Sequence, residues 1–554
     1  MTAQAAQRAL TPSDKETLRA VRALATQGNM SGAGTAARAA LESGLQHPFL
    51  YSVIAFELET SGRLTEAVGV LDGAIEQFPH DLGCLQARGL CLLRLEKPEA
   101  ARDDFEQVTE LKPDFAPGFT ALGQAYEASG QLPAAEARYR RALGLDAANI
   151  MAEAGLASVL GRRGDHDEAR ERALRVLARE PNYPPAAMVV AEADVAQKRT
   201  AEAETRMRAL AADPRVSDVE RSLALSVLGD ALDRQGDAAA AFAAYRDSNE
   251  LRRTHYAPLY PDGDRTLHYA RSLRQWFQQH PARDLLAVLP PEISDSPAIG
   301  HAFLIGFPRS GTTLLEQVLA CHPLVTSLEE RETLQDAVSA FMKSPADLAR
   351  LGLASEAEMV PFRRKYWQRV TEASVTPNGK LFIDKHPLNG LKLPLIPRLF
   401  PEAKILLAIR DPRDVVLSCF RRRFRMSAPY YEMLTLETAA ALYDCVMEIT
   451  HDLIDQLQLR VHTVQLERLI ARFESEVGSI CTFLELSWND RMLDFAAGAR
   501  ERGVATASGA QLSKGLNAGG VGEWRRYRDQ LAPVLPTLEK WAARFGYEPA
   551  DSIS

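Results

Sequence analysis

The sequence predicts an all-α repeat region followed by a three-layer α/β domain of the P-loop type with a mainly parallel sheet. Two observations carry this prediction: an internal repeat with a 34-residue period before about residue 250, and alternating strand-length and helical segments from Ala302 onward. We therefore divide the 554 residues into N-terminal helices that form a cap or degenerate repeat (1–46), repeats (47–255), a connector (256–297) and the α/β domain (298–554).

Small and large apolar residues recur at fixed positions of the 34-residue unit. Gly123 and Tyr139 align with Gly89 and Phe105 one unit earlier. Small residues let two helices approach closely, larger ones fill the remaining space, and a proline near the end of the unit stops the second helix. The pattern resembles the tetratricopeptide repeat family. This resemblance implies a solenoid whose concave surface binds a protein or peptide, with self-association as an alternative.

Four short apolar runs have the length of strands, and each leads into turn residues and helical periodicity. They are residues 302–307, 380–385, 403–410 and 461–466. Strands that alternate with helices predict a parallel sheet covered by helices on its faces.

The first strand leads into the loop Gly306-Phe-Pro-Arg-Ser-Gly-Thr-Thr313. A glycine-containing loop between a strand and a helix offers backbone N–H groups to an anion. The lysine of a nucleotide-hydrolysing P-loop is replaced by Thr312, and the cation is Arg309. The loop is therefore predicted to hold a phosphate without the phosphoryl-transfer chemistry of a kinase, although an ordinary tight turn is the alternative.

A second segment, ILLAIRDPRDVVLSCF, places Arg410 at a strand end and Ser418 in the following helix, so that both can converge on one phosphate. The alternative is an exposed salt-bridge cluster in the RDPRD sequence. A third segment, QLSKGLNAGGVGEWRRY (511–527), is glycine-rich, which is typical of a mobile flap.

These segments closely resemble sulfotransferases, most of all the protein-tyrosine sulfotransferase branch and its bacterial relatives that carry tetratricopeptide repeats. The resemblance implies 3′-phosphoadenosine 5′-phosphosulfate (PAPS) as the cosubstrate and no metal. Glu523 and Gly515 depart from the family pattern in the third segment. The residues that the resemblance assigns to PAPS binding are Arg309, Ser310, Gly311, Thr312, Thr313, Arg410, Ser418, Ser508, Lys514 and Trp524.

The resemblance also implies two catalytic residues. Glu330 matches the base that takes the acceptor proton, and Lys385 matches the lysine that contacts the sulfate-bridging oxygen. Glu330 has an alternative role in a capping box with Ser327, and Lys385 has one as a solvent-facing residue at a strand end. His386 is a rival base, although it is expected to point to the opposite face of the strand from Lys385.

Composition excludes several other classes of protein. The net charge of −8 disfavours a dedicated nucleic-acid binder. The six cysteines show no CxxC pairing, and no apolar run reaches the length of a membrane helix or a secretory signal, so we expect a cytoplasmic location.

The sequence thus predicts a PAPS-dependent sulfotransferase that acts on an acceptor hydroxyl, such as a protein tyrosine docked by the repeats. Segments 332–380 and 421–440 are expected to shape the acceptor pocket. The basic and aromatic residues of 421–431 would suit an acidic peptide or a carbohydrate, although a solvated helix face is the favoured interpretation. The alternative function is an adaptor whose P-loop domain has lost activity.

Overall fold

The computed structural model describes residues 10–286, 296–496 and 518–550. The chain divides into two compact units, Met1–Ala193 and Asp194–Ser554. Helices joined by short turns make up the first unit, and the second unit begins with further helices of this kind, the last of which ends at Tyr256. The predicted domain boundaries remain a proposal.

The repeat helices follow one another with short turns. They are α1 (Pro12–Thr26), α2 (Met30–Glu42), α3 (Pro48–Thr60), α4 (Leu64–Gln77), α5 (Leu82–Arg94), α6 (Pro98–Leu111), α7 (Ala116–Ala128), α8 (Leu132–Leu145), α9 (Ile150–Arg163), α10 (His166–Arg179), α11 (Pro184–Ala196), α12 (Thr200–Ala212), α13 (Asp218–Gln235) and α14 (Ala238–Tyr256).

A glycine in the first helix of a pair packs beneath an aromatic ring of the second helix. A Cβ atom added to Gly123 would lie 2.7 Å from the ring of Tyr139, and one added to Gly89 would lie 2.6 Å from the ring of Phe105. Both pairs are separated by 16 residues in sequence. The 34-residue period therefore repeats a close helix–helix contact, as the sequence predicts.

The second unit contains a parallel sheet with the strand order β2-β3-β1-β4-β5. The strands are β1 (Gly300–Ile305), β2 (Val325–Glu329), β3 (Leu381–Lys385), β4 (Lys404–Ile409) and β5 (Val461–Gln465). The predicted α/β architecture is confirmed, and β2 is an addition to the four predicted strands. This edge strand is short and only partly buried, so its sequence lacks a continuous apolar run.

Nearly every position of β1, β3 and β4 is buried, so both faces of the sheet are covered there. Thirteen further α-helices follow the repeats among the described residues. They are α15 (Thr266–Gln279), α16 (Thr312–Leu319), α17 (Gln335–Phe341), α18 (Leu348–Leu353), α19 (Glu356–Glu372), α20 (Ile396–Leu399), α21 (Pro412–Arg421), α22 (Ala428–Tyr431), α23 (Leu436–Gln456), α24 (Leu466–Ala471), α25 (Phe473–Leu484), α26 (Arg528–Leu531) and α27 (Leu535–Arg544).

Short 3₁₀ helices connect several of these elements. They are Ala257–Leu259, Asp262–Asp264, Ala282–Leu286, Pro345–Asp347, Pro387–Lys392, Glu432–Leu434, Asp490–Asp494, Ala518–Gly520 and Glu523–Tyr527.

The carboxylate of Asp233, near the end of α13, joins the last repeat pair to the α/β part of the second unit. It accepts hydrogen bonds from Arg421 and Arg526, each at 2.7 Å, and from the Tyr527 hydroxyl at 2.5 Å. Asn249 of α14 also donates to the carbonyl oxygen of Phe420 over 2.9 Å. Because α13 and α14 lie in the same compact unit as the sheet, this pair of helices belongs structurally to the α/β region.

Every helix within the described ranges is too short or too polar to cross a lipid bilayer.

Candidate active site

The loop after β1 turns sharply into α16 at the carboxyl edge of the sheet. Gly311 has a φ of +98° at the N-cap, and Arg309 adopts a φ of +73°, a region that non-glycine residues rarely occupy. The Ser310 hydroxyl accepts a hydrogen bond from the Phe307 N–H over 3.3 Å. Thr312 and Thr313 open the helix and are buried. The loop therefore has the compact strand–loop–helix form that suits an anion.

The second predicted motif meets this loop directly. Arg309 Nε donates to Ser418 Oγ of α21 over 3.0 Å, and Arg410 donates to the carbonyl oxygen of Arg309 over 3.2 Å. The structure thus brings together residues about a hundred positions apart in the chain, as expected if both motifs serve one ligand.

The charges around Arg309 are strongly positive. Burial lowers the pKa of its guanidinium to about 9, and the nearby charges of Arg422 and Arg410 act in the same direction. A group of buried cations is costly unless an anion balances it. The cluster therefore has the electrostatics of a site for phosphate or sulfate groups.

The charged residues of the RDPRD sequence are buried and contact the predicted flap, so the interpretation as an exposed salt-bridge cluster is wrong. Arg413 pairs with Asp411 at 2.7 Å, and its guanidinium lies 3.9 Å from the ring centroid of Trp524. The Asp414 carboxylate accepts the N–H groups of Gly522 at 2.6 Å and Trp524 at 2.9 Å.

These contacts hold the C-terminal part of the predicted flap, residues 520–524, against the second motif. Trp524 is buried, and its indole N–H donates to Asp411 over 3.1 Å. Gly520 accepts a hydrogen bond from Arg410. Ser508 and Lys514 lie outside the described residues, and the role of Trp524 toward a nucleotide remains a prediction.

Lys385, at the end of β3, is fully buried among three glutamates. Its Nζ lies 2.8 Å from Glu330 Oε1, 3.3 Å from Glu329 Oε1 and 3.5 Å from Glu316 Oε2. Burial opposes the ammonium, but the three carboxylates together raise its pKa above the usual value. The alternative of a solvent-facing lysine is therefore wrong.

Glu330 is held at this cluster by its backbone as well as by its side chain. Its N–H donates to the carbonyl oxygen of Lys385 over 2.7 Å, and its φ is +45°. Ser327 lies within β2, so no helix begins there and the capping-box interpretation is wrong. The predicted catalytic pair of Glu330 and Lys385 is thus in direct contact.

His386 has a different carboxylate partner. Its Nε2 lies 3.2 Å from Glu332, which also pairs with Lys392 at 2.5 Å. Burial disfavours ionisation of Glu332, but His386 and Lys392 hold its pKa well below its usual range. The structure therefore separates the rival base from the Glu330–Lys385 pair.

A buried hydrogen-bond network holds the end of β3 in place. Asp384 accepts hydrogen bonds from Tyr366 and Thr333, each at 2.7 Å. Because the Tyr366 hydrogen points to Asp384, the His301 Nε2–H donates to the Tyr366 oxygen over 2.9 Å. Burial lowers the pKa of His301 to about 3 and keeps its ring neutral. These contacts fix the strand end that carries Lys385.

Tyr430 is a site residue that the sequence motifs do not identify. Its ring stacks on Phe424 with centroids 4.3 Å apart and an interplanar angle of 2°. Burial raises the pKa of its phenol, and the charge of Glu330 adds to this effect while that of Arg309 opposes it. Segment 421–431 is therefore not a single solvated helix face, since α21 ends at Arg421 and Met426 and Tyr431 are buried.

Comparisons with known proteins identify the same two parts of the chain. Residues 302–490 match the model of the sulfotransferase family, and residues 86–150 match a tetratricopeptide repeat model. These matches confirm the predicted resemblance: a segment that matches the sulfotransferase family follows a segment that matches tetratricopeptide repeats.

Individual relatives align mainly with the C-terminal half. Protein-tyrosine sulfotransferase 2 of Gallus gallus is 28% identical over 45% of this chain and 64% of its own length. The protein-tyrosine sulfotransferase of Drosophila melanogaster is 26% identical over 45% of this chain and 48% of its own length. An uncharacterized protein of Aquifex aeolicus is 25% identical over 89% of this chain and 69% of its own length.

Proposed function

We propose that this protein transfers the sulfuryl group of PAPS to an acceptor hydroxyl. The observation that carries the proposal is the placement of a cationic phosphate-type loop and a contact between the buried Lys385 and Glu330 at the same edge of one sheet. The match of residues 302–490 to the sulfotransferase family supports this chemistry.

The donor would be held by the residues of the two joined motifs. Arg309 and residues 310–313 would bind the 5′-phosphosulfate, and Arg410 with Ser418 would bind the 3′-phosphate. The buried cations of this cluster fit a ligand with several negative charges. Ser508, Lys514 and Trp524 remain proposed donor-binding residues, and the expectation that no metal takes part remains a prediction.

Glu330 and Lys385 would carry the transfer. The Glu330 carboxylate takes the proton of the acceptor hydroxyl while the acceptor oxygen forms a bond to sulfur. The bond between sulfur and the 5′-phosphate oxygen breaks, and that oxygen keeps the electron pair, so that the products are a sulfate ester and 3′,5′-adenosine bisphosphate. The Lys385 ammonium stabilises the negative charge that develops on the leaving oxygen.

The acceptor is proposed to be a hydroxyl of a protein or peptide, with tyrosine the favoured residue. Relatives named protein-tyrosine sulfotransferases support this choice, and tetratricopeptide repeats are interaction modules. Self-association or recruitment through the repeats is the alternative to docking of the acceptor, and a cytoplasmic location is a further part of the proposal.

Calorimetric titration with 3′,5′-adenosine bisphosphate, AMP and ATP tests the donor. We expect the 3′-phosphorylated nucleotide to bind at least tenfold more tightly than AMP, and Arg410→Ala to abolish this preference. Arg460→Ala is the matched control, because Arg460 pairs with Glu402 on the surface near the start of β5. Equal binding of the three nucleotides by the folded protein would favour the inactive adaptor instead.

A further inference from the structure

The proposed chemistry leaves one buried carboxylate of the site without a role. Glu316 lies in the second turn of α16, and its side chain is 2% exposed. Its Oε2 atom has no hydrogen-bond partner among the described residues and lies 3.5 Å from Lys385 Nζ. A buried carboxylate oxygen without a hydrogen-bond donor is unfavourable, because its desolvation is not compensated. Such an atom at the candidate site points to a functional role for Glu316.

Lys385 lies between carboxylates at different depths. Glu330 is 27% exposed and contacts the ammonium at 2.8 Å, whereas Glu316 contacts it from the interior. Glu329 forms the third contact and is 20% exposed. One ammonium is thus shared by an outer pair of glutamates and an inner one.

The cluster does not accommodate three ionised carboxylates without cost. One ammonium balances one of them, which leaves two uncompensated negative charges in a largely buried site. Burial raises the pKa of Glu316 to about 7. Lys385 opposes the shift, whereas the charges of Glu329 and Glu330 add to it and Ser327 lowers it by a hydrogen bond. These four residues, from β3 and the end of β2, are the groups that act on Glu316.

We propose that Glu316 is a positioning residue for Lys385. As a carboxylate it holds the ammonium at the inner end of the cluster and leaves Glu330 available as a base. As a carboxylic acid it leaves the ammonium to Glu330, whose basicity then falls because a cation in contact stabilises the ionised form. This inference rests on the proposed function, and it makes the rate of transfer depend on the protonation state of a residue that touches neither substrate.

Single-turnover rates of sulfuryl transfer at saturating PAPS, measured as a function of pH, test the kinetic part. We expect the wild-type rate to rise through neutral pH as Glu316 ionises. Glu316→Gln should lower the rate at least tenfold at pH 8 and remove this rise, with the Kd for PAPS, measured by titration, changed less than threefold. Glu316→Asp should restore the rise in part.

Glu329→Gln is the matched control, since it places the same amide in the same cluster and should retain the pH-dependent rise. A rise that persists unchanged in Glu316→Gln would overturn the proposal. Loss of the rise in Glu329→Gln, with the rise retained in Glu316→Gln, would also overturn it.

Difference infrared spectroscopy supplies a readout that does not require activity. The difference between the wild-type and Glu316→Gln spectra should show a protonated carboxyl band that disappears as pH rises through neutral. The band of Asp414, whose pKa burial raises to about 6, should be common to both proteins. In Lys385→Met the band should persist to higher pH, because the cation that favours the carboxylate is gone. Absence of the band, or no effect of Lys385→Met on it, would overturn the inference about Glu316.

The two measurements separate this inference from the proposed function. If the band behaves as expected but no acceptor is sulfated, the coupling of Glu316 to Lys385 stands and the proposed reaction fails. If sulfate is transferred and the band is absent, the reaction stands and the role of Glu316 fails.

Discussion

The guanidinium of Arg309 donates a hydrogen bond to the hydroxyl of Ser418 over 3.0 Å, across 109 positions of sequence. One residue belongs to the loop after β1 and the other to the helix after β4, and these two strands are neighbours in the sheet. Adjacent parallel strands bring their following loops together. The contact therefore couples the two motifs that are proposed to bind opposite ends of the donor.

Replacement of Arg309 by lysine should weaken binding of the donor. Lysine keeps the positive charge but lacks the planar guanidinium, which bonds Ser418 and would at the same time bond a phosphate. We expect the Kd for PAPS to rise about tenfold, or about 1.4 kcal/mol, in a titration under conditions without turnover. Arg460→Lys should leave the Kd unchanged, and an equal effect of both substitutions would contradict the assignment.

Replacement of Glu330 by glutamine should abolish transfer while preserving donor binding. Removal of a general base costs roughly 10²- to 10⁴-fold in rate. We expect a fall in kcat within that range and a Kd for 3′,5′-adenosine bisphosphate within threefold of wild type. His386→Asn is the decisive comparison, because His386 bonds Glu332 instead. A larger loss of kcat in His386→Asn than in Glu330→Gln would make the histidine the base.

Alanine should have opposite effects at two glycines of the repeats. Gly123→Ala places a methyl group against the ring of Tyr139 and should lower the free energy of unfolding by about 1–3 kcal/mol. Gly144, in α8, has open space around it, and Gly144→Ala should raise stability by roughly 0.5–1 kcal/mol. Urea denaturation of both variants checks this, and equal destabilisation would contradict the packing of Gly123.

Acidification should destabilise the α/β region through His301. Its folded pKa of about 3 lies below the usual value of 6.5, so the unfolded chain takes up a proton first. Stability is therefore lost as pH falls from 6.5 toward 3, by roughly 2 kcal/mol between pH 6.5 and 4.5.

His301→Gln keeps a donor to Tyr366 and removes this titration, so its free energy of unfolding should fall less steeply over that pH interval. Chemical denaturation at several pH values measures the difference. The exposed His268 provides the control, since His268→Asn should follow the wild-type pH profile. A wild-type profile in His301→Gln would show that another group governs the acid transition.

The sequence predicts those features that depend on local spacing. The contact of Gly123 with Tyr139 follows from the 34-residue period, and the loop around Arg309 follows from the motif at 306–313. Both depend on residues that are close together in the chain. The meeting of Lys385 and Glu330 agrees with the resemblance, although the sequence alone leaves a capping box open.

Other features depend on packing between distant segments and could not be predicted. Glu316 lies in an amphipathic helix where a polar residue is usually exposed, and only the approach of β3 buries it. Tyr430 and Phe424 lie in segment 421–440, which is expected to shape the acceptor pocket, but no motif or periodicity there indicates that these two rings stack. The burial of Arg413 and Asp411 likewise depends on Trp524, more than a hundred residues later.

The carboxylate of Asp233 has a consequence for where the chain can be divided. A fragment that begins at residue 298 would lack this acceptor and leave Arg421, Arg526 and Tyr527 without the partner they share. Such a fragment would also expose the surface that α14 covers beside Phe420. A fragment designed to keep the candidate site should therefore begin before α13, so that the last two repeat helices remain with the sheet.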